Sequence, residues 1–176
     1  MIKFNLALVL IFSCAAVAQA GDGEGRSRYA GVFEADKPWQ EATTDLPAPP
    51  QAASLREIYV SAVATNTYFV DEATLTVGTD RVVRYVLVVE ASGGARNVSF
   101  EGMHCDSGKW KLYANGRPDG TWVRARVSEW REIENKPVNR HHAALSRDYF
   151  CPDGGTLRDA VEGRRLLNLA RHSKAK

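Results

Sequence analysis

The sequence predicts an α+β fold, an antiparallel sheet of five or six strands with C-terminal helices packed on one face. Three observations carry that expectation. From residue 55 to residue 127 apolar side chains recur mainly at every second position, the period of a strand with two distinct faces. Clusters of Gly, Asn, Asp and Pro cut this stretch into short runs, and joins this short make sequential strands antiparallel neighbours. After Trp130 the period lengthens to helical, and strands followed by helices segregate into a sheet with helices against it.

The first run places Leu55, Glu57, Tyr59 and Ser61 on one face and Arg56, Ile58, Val60 and Ala62 on the other. Neither face is wholly polar, which predicts a strand partly buried on both sides. Residues 67–77 form a second run holding Tyr68, Phe69, Val70, Leu75 and Val77, with a bend or bulge predicted at Asp71-Glu72-Ala73. Gly78-Thr79-Asp80 turns the chain. In the next run Val83, Tyr85, Leu87 and Val89 share one face and Val82, Arg84, Val86 and Val88 the other. A strand so apolar on both sides belongs in the middle of a sheet. Beyond Ser92-Gly93-Gly94, Val98, Phe100 and Gly102 oppose Asn97, Ser99 and Glu101, which predicts one wet face and a place nearer an edge. Residues 109–113 and 121–127 supply two more strands around the turn-rich Asn115-Gly116-Arg117-Pro118-Asp119-Gly120. Residues 140–150 then place Ala144, Leu145 and Tyr149 on one side of a helix that Pro152 stops. Thr156 and Asp159 resemble a capping box opening a last helix, lined by Leu157, Ala160, Val161, Leu167 and Ala170 and weakened by Gly163.

The 176 residues, 44% hydrophobic and 25% charged, suit one core of useful size, and the domain is expected over residues 55–170. Residues 1–20, MIKFNLALVLIFSCAAVAQA, read as a signal peptide cut after Ala20, because a short apolar run ends in Ala18-Gln19-Ala20. The expected localisation is the periplasm, with no integral membrane span; lipidation at Cys14 is the less favoured route, since bulky Phe12 stands beside that cut. Residues 21–54 mix Gly, Pro and small polar residues and read as an extended proline-rich arm, pinned in part by Phe33 and Trp39. Residues 171–176 form a basic tail. Removing residues 1–20 takes away Lys3 and no acid, leaving a net charge of +1, which gives no general pull toward nucleic acid. Cys105 and Cys151 then remain, and an even pair in an exported chain predicts a disulfide closing a 47-residue loop.

Motifs for phosphate binding, zinc proteolysis, nucleophilic serine chemistry and dithiol redox work are missing, so no catalytic residue and no cofactor is assigned. His104, Cys105, His141, His142 and Cys151 are metal-ligand types. Adjacent side chains leave a strand on opposite faces, however, and neighbours on a helix diverge, so no metal is expected. Asp71, Glu72, Asp80, Glu90 and Glu101 could pair for acid–base work, although turns account for Asp71 and Asp80. Trp110, Trp122, Trp130, Tyr113, Arg124 and Arg126 are the candidate ligand contacts, since aromatics interleaved with arginine suit sugars or peptides as well as a packed core.

The run VDEATLTVGTDRVVRYVLVVEASGGARNVSFEGMHC, followed by KLYANGRPDGTW and DYFCP, resembles the cryptic neisserial protein family, an uncharacterised group of exported bacterial proteins. The resemblance extends from about Phe33 to Leu167 and implies a bacterial envelope protein with matched cysteines at 105 and 151. It transfers no catalytic residue, and His104 stands where a more basic residue is expected beside the cysteine. The leading expectation is therefore a non-catalytic binding module whose partner is an envelope protein or cell-wall component. The alternative is an enzyme of unrecognised type with a pocket near the disulfide.

Overall fold

The structure is a computed structural model that describes the backbone over residues 38–174 and side chains as far as residue 169. The expected signal peptide, most of the arm including Phe33, and the side chains of the basic tail lie outside these residues. From Trp39 onward the chain forms one compact unit. Its strands are β1 (Leu55–Ile58), β2 (Thr67–Val77), β3 (Val82–Glu90), β4 (Arg96–His104), β5 (Lys109–Gly116), β6 (Trp122–Arg124) and β7 (Arg131–Glu132). β1 to β6 lie in chain order, each antiparallel to the next, and β7 pairs with β5 beside its start.

β3 is central, as its two apolar faces predict. Its pairing with β4 runs unbroken from Val82 opposite His104 to Glu90 opposite Arg96. Ala91 and Ala95 close that hairpin, with Gly94 at a positive φ that an L side chain rarely adopts. The register of β2 against β3 shifts between Asp71 and Thr76, where the sequence predicts a bend. Asp71 Oδ1 accepts the Ala73 amide there, satisfying a backbone group that the bulge takes out of the ladder.

One strand stands elsewhere than alternation alone suggests. β4 is not near an edge: it lies between β3 and β5, and Glu101, expected to face water, is buried. The wet-face reading fails because a buried polar cluster alternates just as a solvated face does. β1 is an edge strand partly buried on both sides, as expected: Ile58 enters the larger core and Leu55 packs on the opposite face, while Glu57 is exposed. β6 is also shorter than residues 121–127.

One sheet face carries the helices. α1 (Arg140–Leu145) continues into a single wider turn, Ser146–Phe150, closed by Cys151 N–H donating to the Ser146 carbonyl at 2.9 Å. α2 (Ala160–Lys174) follows. Val70, Leu75, Val83, Tyr85, Leu87 and Met103 from the sheet meet Leu145, Tyr149, Phe150, Leu157 and Leu167 in the larger core. Each such side chain contributes roughly 1.5–3 kcal/mol of burial. The start of α2 differs from the expected capping box. Asp159 Oδ1, not Thr156, accepts the amide of Glu162 three residues on, while Thr156 Oγ1 donates to the Arg81 carbonyl. Val161, expected to line the helix, is exposed. None of the described helices is long and apolar enough to cross a membrane.

The opposite face is covered by the arm. Leu46 packs beside Val86, Val88, Phe100, Tyr113 and Ala114 in a second, smaller core. Cys105, just past β4, and Cys151, at the end of the wide turn, form the predicted disulfide with their Cα atoms 5.5 Å apart.

Candidate functional site

Three groups of polar and aromatic residues are organised by this sheet. The first lies under α1. β3 and β4 pair in exact alternation, so Tyr85, Ser99 and Glu101 all project toward the helices, and α1 lowers His142 onto them. The Glu101 carboxylate accepts hydrogen bonds from Ser99 Oγ at 2.7 Å and Tyr85 Oη at 3.0 Å, and its Oε2 lies 2.9 Å from His142 Nε2. Burial pushes this carboxyl up, but the hydrogen bond and charge of His142, with Ser99, more than offset it and leave it below the ordinary range. An ionised carboxylate can only accept, so His142 Nε2 carries the proton. Burial raises the Tyr85 phenol well above its usual value, with the Glu101 charge acting the same way. Trp110 of β5 stacks on the His142 ring at 3.7 Å. His141, 4.0 Å from His142, stacks on Tyr68 of β2.

A carboxylate, an imidazole and a phenol within hydrogen-bond reach can in principle move a proton. Here Glu101 and His142 are 4% and 2% exposed, and every donor hydrogen named is directed at Glu101. Neither Glu101 nor His142 lines any of the three cavities described below. What the cluster does is join α1 to the sheet through the bond between His142 Nε2 and Glu101, while His142 Nδ1 stays buried without a partner.

The second group holds the arm. Arg84 of β3 and Asp80, in the turn before it, form a two-pronged ion pair in which both side chains are buried. Asp80 also accepts the Ala42 amide at 2.8 Å, its backbone carbonyl accepts Trp39 Nε1, and Arg84 Nη2 donates to the Ala42 carbonyl. Burial acts to raise the Asp80 carboxyl, yet Arg84 and the two amides it accepts bring it below its ordinary value. Further along, Glu41 accepts from Lys111 Nζ at 2.8 Å and Trp130 Nε1 at 2.9 Å, and Trp39 lies 4.5 Å from the His104 ring. Near the other end of the arm, Trp122 Nε1 donates to the Pro47 carbonyl at 2.8 Å.

The third feature is an open groove of about 400 Å³ beside Trp122. Val98 and Gly116 line its base, Pro49, Pro50 and Trp122 its sides, and Arg96 and Arg117 its rim. Gly116 sits there because a Cβ would lie 2.9 Å from Val98 and 3.5 Å from the Trp122 ring. A second cavity of about 450 Å³ lies between the arm and the β2 bulge, against Asp71 and Thr74. A third, of about 440 Å³, lies between the β1–β2 loop and Val138.

A family model described as the CNP1-like family matches residues 34–168. The chain belongs to this family. No curated protein and no solved structure matches the chain. The CNP1-like match spans the described part of the arm, the whole sheet, both cysteines and most of α2, so all three groups lie inside it.

The structure separates the residues that composition grouped together. Trp110 faces the helices, Trp122 lies beside Pro47 and Phe100 on the arm side, and Trp130 borders Glu41 and Trp39 at the arm's start. Tyr113 is buried against Phe100, while Arg124 and Arg126 are exposed. Of these candidate contacts, Trp122 lines a described cavity. The metal-ligand types separate too. Cys105 and Cys151 bond to each other, His104 lies on the arm side, and His141 and His142 are carried by α1, their rings closer than helical divergence suggests. Among the described residues no three of His, Cys, Asp and Glu are placed so that they could hold a metal ion. The acids also stand apart: Glu72 joins Arg56 and Asn168, Glu90 joins Arg96, and Asp80 and Glu101 serve opposite faces. Sequence reasoning missed the Tyr85–Ser99–Glu101–His142 cluster and the Asp80–Arg84 pair. A charged residue in a run as apolar as Val82–Val88 was the available sign for Arg84.

Proposed function

We propose that this chain is an exported, disulfide-stapled binding module of the bacterial envelope without catalytic activity, and that it contacts its partner through the groove beside Trp122. The observation that carries this reading is the contrast between the two polar centres. The titratable cluster an enzyme would use is closed over by α1, whereas the groove presents an indole, three proline rings and two guanidinium groups to solvent. Apolar walls with a few placed charges are the usual make-up of a recognition site. The covalent tie between Cys105 and Cys151 suits a chain that works in an oxidising compartment.

Two measurements test this. A photocrosslinking residue placed at Pro118, on the groove rim, in the full chain produced in cells should give adducts absent when it is placed at exposed Val161 on α2. The same adducts from both positions, or none from Pro118, overturn the binding site. Fractionation with thiols blocked at lysis should recover the chain from the periplasm with Cys105 and Cys151 unalkylated. Recovery from the cytosol in alkylated form overturns the export reading.

A further inference from the structure

The groove crosses the face of β4, β5 and β6 and reaches the β6 edge at Trp122, and the backbone pairing shows which groups that edge presents. Arg117 N–H donates to the Thr121 carbonyl at 2.8 Å, and Ala125 N–H donates to the Tyr113 carbonyl at 2.9 Å. In an antiparallel ladder alternate residues face the neighbouring strand, so Thr121, Val123 and Ala125 turn their backbone groups toward β5. Trp122 and Arg124 therefore direct their N–H and C=O groups away from it. Among the described residues the sheet ends at β6, with no strand beyond it.

Side chains two apart on a strand share a face, so Arg124 stands on the groove side with Trp122. Arg117, Arg124 and Arg126 form no ion pair among the described residues. The acid whose charge Arg117 feels is Asp119, in the same turn. Arg96 has Glu90 at 3.6 Å, and both side chains of that pair are nearly half exposed. A basic border, ion-paired among the described residues only at Arg96, beside an open strand edge complements an extended chain that brings carboxylates. Short, charged edge strands also discourage indiscriminate pairing between sheets, and here that protection is of a sign an acidic strand would neutralise.

Resting on the binding reading above, we propose that the partner is a protein bearing an extended acidic segment. That segment adds to β6 as a further antiparallel or parallel strand, its carboxylates meeting Arg117 and Arg124 while an apolar side chain seats against Trp122 in the groove. Main-chain hydrogen bonds would supply the attraction and the alternate side chains the selectivity.

The test uses the oxidised full-length chain and a fluorescein-labelled eight-residue peptide of alternating Glu and Val, read by fluorescence anisotropy. Saturable binding is expected. It should weaken at least tenfold when alternate peptide nitrogens are methylated, when Lys replaces Glu, and in the double variant Arg117→Glu with Arg124→Glu. Thermal unfolding of that variant should match the parent, because Arg117 and Arg124 lie at the surface. Equal binding of the methylated peptide overturns strand addition. Binding of an oligouronate but not of the peptide overturns the protein partner and leaves an anionic glycan in the groove. No binding of either up to millimolar concentration overturns the acidic ligand, while position-specific crosslinking at Pro118 would still support the groove.

Discussion

At the scale of single residues, the positions that matter most are those where burial meets charge. Burial, joined by the neighbouring His142, holds the His141 imidazole down at about 4, against an ordinary value of 6.5. As pH falls through about 6.5 the unfolded chain takes up a proton at this position, while the folded chain does so only near 4. Stability is therefore unaffected by His141 above that window and falls within it, by up to about 1.4 kcal/mol per pH unit. Urea midpoints at pH 7 and pH 5 should show the loss, and His141→Phe should reduce it while keeping the ring against Tyr68. His104, also depressed by burial, keeps the slope from vanishing altogether. Glu101 and Asp80 lie below their ordinary values of 4.5 and 3.8, so the stability they confer is intact between pH 7 and pH 5 and is lost only as pH falls below those values. Gly163 makes a different point. Composition marks it as a weakness in α2, worth roughly 1 kcal/mol against alanine. In the structure an added Cβ would lie 2.6 Å from Leu75 Cδ2 and 2.9 Å from Leu157 Cδ1, so the glycine is what lets α2 approach β2. Gly163→Ala should lower stability by about 1–2 kcal/mol, since crowding a packed core outweighs the gain in helix propensity; a stabilised variant in urea unfolding would contradict this.

At the scale of elements, the arm is held by complementarity between residues 38 to 89 positions apart. The period-two pattern shows β2 through β5, and the switch to a helical period shows the C-terminal layer, because each is a local property of the chain. Trp39 is legible as an aromatic with no periodic role, and the polyproline stretch as extended backbone. No local pattern says that Ala42 will meet Asp80, or that Glu41 will lie between Lys111 and Trp130. The Glu101 cluster was hidden for a related reason. Ser99 and Glu101 on alternate positions look like a wet face, and the residue that reverses this, His142, lies 41 positions away on another element. The Trp122 groove was half legible: the indole was singled out, but its companions Pro49, Pro50, Arg96 and Arg117 come from three separate stretches. The arm's dependence on Asp80 gives a direct test. Asp80→Ala leaves the buried Arg84 guanidinium without its partner and should cost about 3–5 kcal/mol, with proteolysis newly focused on residues 39–50. Adding Arg84→Met removes the stranded charge and should restore much of the global stability. The loss of the Ala42 contact remains, so the arm should stay sensitive to protease in the double variant. Arm cleavage no faster than in the parent would show that the latch does not hold it.

At the scale of the whole molecule, both covering layers lean on the same two strands. β3 and β4 bear Tyr85, Leu87 and Met103 toward the helices and Val86, Val88 and Phe100 toward the arm, so losing either layer uncovers apolar surface on the shared sheet. Sequential strands give mostly neighbouring contacts within the sheet, but the helical layer returns to strands far back along the chain, and its tether is the bond between Cys105 and Cys151. Closing that loop removes freedom from the unfolded chain, which for 47 residues is roughly 4 kcal/mol in the chain-entropy account. That is a large part of what a domain of this size has to spare. Reduction should therefore lower the urea midpoint substantially and somewhat steepen the transition, because the unfolded chain without its cross-link is more expanded and exposes more surface. Comparing oxidised with reduced wild-type chain avoids the cavity that alanine would leave at buried Cys151. If the shared strands couple the layers as argued, tryptophan fluorescence and far-ultraviolet circular dichroism should trace one transition in both states. Trp110 reports the helical side and Trp122 the arm side, so Trp→Phe variants retaining one or the other can assign any divergence. Helical signal lost before the Trp122 environment changes, in the reduced chain alone, would mean that the disulfide rather than the shared sheet makes folding all-or-none.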